Sequence, residues 1–250
     1  MTKVRAKRRG TVLDATVFAL AGIAILCGLG VWQLDRKVWK ENLIATLNAR
    51  LSSEPGDLPP RSSWSALRQS SEEFRRVKFP AEFLDGEEAL VYTAGSPLRP
   101  DVKGPGYWVF APARLAGGSI VVVNKGFVPM DRKNPATRTE GATHGTVDVV
   151  GVVRWPEVRG SFTPDDDVKD NVWYLRDSNA IAAAKKWATA APFYIDQESP
   201  VPPGDLPKPG KLEVSLPDNH LQYAITWFGL ALALAGVYAV WLSRRLFRRE

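Results

Sequence analysis

The sequence predicts a membrane protein: two transmembrane α-helices flanking a β-rich extramembrane domain of the α+β kind, barrel- or sandwich-like in form. Three observations predict it. Two long apolar runs lie near the ends of the 250-residue chain. Basic side chains gather just outside those runs. Between them, short segments rich in β-branched and aromatic residues alternate with glycine and proline turns.

The runs come first. Ala15 to Trp32 carries no charge in eighteen residues, and Leu221 to Leu242 none in 22. A helix of that second length measures about 33 Å, enough for a hydrocarbon core of ~30 Å. Trp32, Tyr223, Trp227 and Trp241 sit toward the ends of the runs, where amphipathic rings favour the interface. The glycines Gly22, Gly28, Gly30, Gly229 and Gly236 suit close helix packing. Spans are assigned to 11–34 and 221–242. The residues after the first run, VWQLDRK, offer no small-x-small cleavage site, so it reads as an uncleaved signal-anchor.

Charge sets the orientation. The 1–10 tail holds Lys3, Arg5, Lys7, Arg8 and Arg9; the 243–250 tail holds Arg244, Arg245, Arg248 and Arg249. The positive-inside rule keeps both tails cytoplasmic and puts the 35–220 loop outside, in a bacterium the periplasm. That loop holds 24 basic and 25 acidic side chains, so the net charge of +6 belongs to the tails. A nucleic-acid partner is not expected, because no basic folded surface faces phosphates. The single cysteine, Cys27, excludes an intrachain disulfide and CxxC metal or redox motifs. It reads as an inert thiol in an apolar run, and Asp14 as a carboxylate at headgroup level.

Within the loop, Trp39, Leu43, Leu47 and Leu51 recur every fourth residue, predicting a helical extension over 35–51. SSEPGDLPPRSS (52–63) reads as a linker. Strands are predicted at 77–83, 89–94, 107–112, 119–124, 147–155, 171–176, 192–196 and 211–216, mostly antiparallel. Pro80 demotes the first to an edge or bulged strand. Asp177 or Ser178 caps one alanine-rich helix. Residues 198–210 read as a semi-rigid extended connector.

Catalytic templates are missing: the chain has no GxSxG, Walker A, GxGxxG or HExxH motif. Asp165, Asp166, Asp167 and Asp170 lack the ligand spacing of a calcium loop and read as a solvated acidic loop. Of the two histidines, His144 lies in a polar, glycine-flanked loop and reads as solvated. His220 stands at the outer mouth of the second span. Imidazole at that depth is either an interfacial polar group or cap, or an axial ligand to heme iron. Tyr223 at i+3 and Trp227 at i+7 share its helix face. Trp32 and Gln33 lie at the same depth on the first span, so these residues outline one wall of a porphyrin site.

Taken in order, LGVWQLDRKVWKENLI (29–44), GYWVFAPARL, VVVNKGFVP (121–129), VVGVVRWPEVRGSFTPDDD, APFYID and LPDNHLQYAITWF resemble the surfeit locus protein 1 family over nearly the whole chain. The resemblance implies an assembly factor for cytochrome c oxidase, not an enzyme, in the bacterial inner membrane. It would bind heme a transiently and help place it in the oxidase catalytic subunit, with heme a synthase as a further partner beside the lipid bilayer. The family's NHLQYA histidine matches His220. Lys125 and Asp218 depart from the family's usual Arg and Asn. Arg36 and Lys37, just outside the first span, would be the propionate partners, or interfacial anchors. Two other readings stand beside this one: a heme-free scaffold for an early oxidase intermediate, and an enzyme acting on heme or lipid.

Overall fold

The computed structural model describes residues 2–84, 86–141, 145–187, 190–214 and 217–247. His144 therefore lies outside the described residues. In chain order the main elements are α1 (Thr2–Ser52), β1 (Gly56–Asp57), α2 (Gln69–Glu72), β2 (Arg76–Phe83), β3 (Ala89–Thr93), β4 (Gly106–Arg114), β5 (Ile120–Pro129), β6 (Thr146–Arg154), β7 (Val172–Trp173), α3 (Ser178–Ala184), β8 (Ala190–Ser199) and α4 (His220–Phe247). They form two compact units, Met1–Ala45 with Leu216–Glu250, and Thr46–Ser215.

The first unit is an antiparallel helix pair. Both helices are long and apolar enough to cross a membrane. Their outer faces expose Phe18, Ile25, Ile225, Leu232 and Val237. Apolar burial cannot drive helix pairing in lipid, so small residues and hydrogen bonds take over. Among the described residues, Ala19, Ala224 and Ala231 are the buried apolar residues of the pair. Gly30 lets the Phe228 ring in so closely that a Cβ there would lie 2.6 Å from it, and Gly22 faces Leu234 in the same way at 3.0 Å. Near the other end, Thr16 gives its hydroxyl proton to the Val12 carbonyl, so the Tyr238 hydroxyl donates to Thr16 Oγ1 at 2.6 Å.

The second unit is one mixed eight-stranded sheet, ordered β1-β2-β6-β8-β5-β4-β3-β7. β2 also meets β4, but only through Glu82↔Arg114 and Phe83↔Ala113. The sheet thus coils back on itself without becoming a closed barrel or a two-sheet sandwich, which corrects the sequence-based form. The pairing is also less antiparallel than expected: β1–β2, β3–β7 and β5–β8 run parallel. β4 and β5 are buried along most of their length, as their unbroken apolar runs require. Phe79, Val121, Phe193 and Trp64 pack on one side; Trp108, Phe110, Trp173 and Ile181 pack in a second cluster. Pro80 pairs with Asp148 on one side, while β1 and β4 cover only the flanking residues on the other. The missing N–H at Pro80 therefore breaks no ladder bond there.

Two segments depart from expectation. The 52–63 stretch is ordered, because β1 joins β2 and the Trp64 indole donates to the Pro59 carbonyl at 2.8 Å while stacking edge-on against Phe193. Residues 211–214 form no strand. The chain there is held instead by the buried Arg99, which donates to the Pro209 and Gly210 carbonyls and pairs with Asp101 at 2.7 Å. Lys208 and Phe127 exchange two backbone hydrogen bonds, at 2.8 and 3.0 Å. Gly126 makes that approach feasible: its φ is +122°, and a Cβ would lie 2.2 Å from the Lys208 carbonyl carbon. The proline-rich connector is thus fastened to the sheet. In α3, Asp177 is the cap, accepting from the Asn179 and Ala180 N–H groups.

Candidate functional site

The site lies in the helix pair, where α4 begins. Asp218 Oδ1 accepts the His220 backbone N–H at 3.0 Å, and the Asn219 carbonyl accepts the Tyr223 N–H at 3.1 Å. The first satisfies a donor that a helix start leaves orphaned, and the second is the first i→i−4 bond of the helix. An aspartate serves the first as well as an asparagine, so the Asp218 departure leaves the cap intact. Lys40, on the extension of α1, donates to the Pro217 carbonyl and ties the same turn down from the other helix.

His220 and Gln33 meet across the pair. His220 Nδ1 and Gln33 Oε1 are 2.7 Å apart. With that amide oxygen as the acceptor the ring donates from Nδ1, and the neutral tautomer that does so leaves Nε2 its lone pair. Both side chains are half-buried. This is the arrangement in which one ring nitrogen is oriented by a fixed acceptor while the other is offered to a metal.

The remaining predicted residues surround this pair without bonding to it. Tyr223 and Trp32 are both 55% exposed and Trp227 is half-buried. Arg36 stacks its guanidinium 4.1 Å above the Trp39 ring. Lys37, one helical turn beyond Gln33, pairs with Glu41 at 2.5 Å. Its ammonium is held above the usual range by that bond against slight desolvation, with Asp218 adding a weaker pull. Lys37 therefore lies within electrostatic reach of the turn that carries His220.

The donor set decides what such a site can hold. Among the described residues no group of three or more His, Cys, Asp or Glu is placed for a bare ion. A porphyrin supplies four of its metal's ligands itself and asks the protein for one or two. A single oriented imidazole at the edge of an apolar helix pair fits that demand.

Sequence reasoning missed a second polar centre, inside the sheet domain. Asn124 donates to Asp196 Oδ1 at 2.7 Å, and Arg154 to Asp196 Oδ2 at 3.0 Å, joining β5, β6 and β8. Burial, with Asp196 next, pushes the neighbouring Tyr194 phenol well above its usual range. The signal was present, in an Asn and an Asp that end otherwise apolar runs. Lys125 holds its ammonium 4.6 Å over the Phe83 ring.

Comparison with known proteins matches residues 20–232 to the SURF1 family. The chain belongs to the SURF1 family. Its SURF1 relatives include the SURF1-like protein of Monosiga brevicollis, 35% identical over 236 residues, covering 91% of this chain and 87% of that one. Surfeit locus protein 1 of Homo sapiens is 36% identical over 219 residues, 82% of this chain and 70% of the human one. The Takifugu rubripes protein of the same name is 35% identical over 230 residues, 86% and 92%. The SURF1 match spans the sheet domain, most of α1 and the first part of α4, and includes Gln33 and His220.

Proposed function

We propose that this chain is a membrane assembly factor for cytochrome c oxidase. It binds heme a at His220 and assists its insertion into the oxidase catalytic subunit, acting as a chaperone rather than an enzyme. The observation that carries the reading is the Nδ1–H···Oε1 hydrogen bond between His220 and Gln33. The setting is the inner membrane of a bacterium, with both termini cytoplasmic, the sheet domain periplasmic, and heme a synthase as donor.

Heme a brings an iron that takes a nitrogen ligand, a long apolar tail and two propionates. The chain's residues meet each demand. His220 presents the Nε2 lone pair, and Gln33 fixes the ring's tautomer and direction. Tyr223, Trp227 and Trp32 give the mouth of the pair an aromatic, apolar rim. Lys37 and Arg36 supply positive charge at headgroup depth for propionates. One protein ligand leaves the iron weakly enough held for cargo to be passed on.

The test is an absorption spectrum and pyridine hemochrome of the detergent-purified protein, co-expressed with heme a synthesis. Heme a in the wild type and its loss in His220→Ala, with both proteins folded, is the expected result. Heme in both discards His220 as the ligand. Heme in neither, from folded protein, discards the reading in favour of a heme-free scaffold.

A further inference from the structure

The segment between β6 and α3 is built to hold apolar side chains out in water. Its base is pinched shut: the Glu157 N–H donates to the Arg176 carbonyl at 3.3 Å, while Arg176 donates to the Glu157 carboxylate through its backbone N–H at 3.0 Å and through Nε at 2.9 Å. The tip is organised by Arg159, which donates to the Pro164 carbonyl and pairs with Asp166. Asp166 in turn accepts the Tyr174 N–H at 2.8 Å. Gly160 and Thr163 close a turn on each other: the Thr163 N–H donates to the Gly160 carbonyl at 3.2 Å, and the Gly160 N–H to Thr163 Oγ1 at 3.1 Å. Phe162 occupies the middle of this turn. It is 100% exposed, and Val158 is 90% exposed.

A loop with this many internal bonds has its apolar tip placed in advance. A phenyl ring in water gives up the burial of 150 Å² or more that such rings ordinarily achieve. Exposed aromatics on a rigid support are the usual anchors of protein interfaces. The charge around the tip chooses between a bilayer and a protein. Glu157 and Asp166 are spent on Arg176 and Arg159. Asp165, at the 3.9 Å margin of a pair with Arg159, is exposed together with Asp167 and Asp170, with Lys169 beside them. Loops that dip into membranes carry lysine and arginine for anionic headgroups, and this one carries the opposite sign.

We infer that the loop 157–176 is a docking finger for a protein surface that offers an apolar cleft bordered by basic side chains. Phe162 and Val158 enter the cleft, and Asp165, Asp167 and Asp170 face its rim. Resting on the function proposed above, that surface belongs to the oxidase catalytic subunit. One finger of this size makes a small contact, suited to a partner that is held and then released.

The experiment uses the full chain in nanodiscs, with Cys27→Ala and Ser161→Cys carrying an environment-sensitive dye beside an intact Phe162. Emission typical of water in both zwitterionic and anionic discs is expected. A blue shift before any partner is added would mean the finger lies in lipid and would overturn the inference. Titration with the purified catalytic subunit should then shift the dye to the blue. Phe162→Ser should weaken that complex roughly tenfold or more, and Asp165→Lys with Asp170→Lys a few-fold, while thermal unfolding stays unchanged. A complex of equal affinity in Phe162→Ser, formed without a dye shift, sinks the finger and leaves the heme reading standing. Absence of any complex with the wild type refutes the oxidase as partner, and this inference with it.

Discussion

Replacing Gln33 by Leu tests the site more sharply than removing His220 itself. The substitution keeps the volume of the side chain and the apolar packing of the helix pair, and deletes one acceptor 2.7 Å from Nδ1. A neutral hydrogen bond of this kind contributes about 1 kcal/mol net. The larger effect is on orientation: without the acceptor the ring is free to rotate and to move its proton to Nε2, which then has no lone pair for iron. Removal of such outer partners typically costs 10–100-fold in affinity, or about 1.4–2.8 kcal/mol. Heme a titration of the detergent-solubilised protein, followed in the Soret band, should show that weakening in Gln33→Leu. Gln33→Glu should keep or tighten binding, because a carboxylate accepts the same proton more strongly and makes the imidazole a better donor. Wild-type affinity in Gln33→Leu would refute the reasoning. So would equal loss in both variants, which would point to damaged packing instead.

The helix seam predicts that Gly30→Ala, whose methyl would meet the Phe228 ring at 2.6 Å, lowers the thermal stability of the solubilised protein by about 1–3 kcal/mol; Phe228→Ala in the same chain should recover part of it. Gly126→Ala faces both a φ of +122° and the Lys208 main chain at 2.2 Å. It should therefore release the 206–210 connector, read as faster hydrogen exchange and proteolysis there, with at least ~2 kcal/mol of lost stability. Acid should loosen the finger. Burial raises the Glu157 carboxyl, but the charge and hydrogen bonds of Arg176 outweigh it and leave the group below its usual range. A depressed carboxyl stabilises the folded loop above its unfolded pKa of about 4.3 and loses that contribution as pH falls through the folded value. Protection of amides 158–175, corrected for intrinsic exchange, should thus fall below about pH 4, and Glu157→Gln should shrink that fall by the share Glu157 contributes.

Much of the site was legible because two apolar helices read as membrane spans have ends that can be set at one level. Trp32 and Gln33 were matched with His220 on that ground, without any contact being known. The hydrogen bond itself was not legible, since helix rotation depends on where Gly30 and Ala224 let the helices approach. In the sheet domain, strand positions followed from β-branched runs bounded by turns, and seven of the eight predicted strands overlap observed ones. Their order did not follow. APFYID carries no mark that says it runs parallel to VVVN, because a strand buried on both faces has lost the alternation that sets partner and register. The predicted 211–216 strand is missing over its described residues, 211–214, for a different reason. Its alternation mimics a strand, but the chain before it is already clasped through Arg99, Phe127 and Gly126, residues far away in sequence.

Gln33 and His220 are 187 positions apart, and the whole sheet domain is made between them. During synthesis Gln33 is made long before His220, and its amide has no imidazole to accept from until the last helix has formed and packed against the first. An imidazole oriented through Nδ1 therefore exists only in a finished molecule. Biogenesis supplies its own checkpoint: a half-made or misfolded copy displays no ordered imidazole at this position.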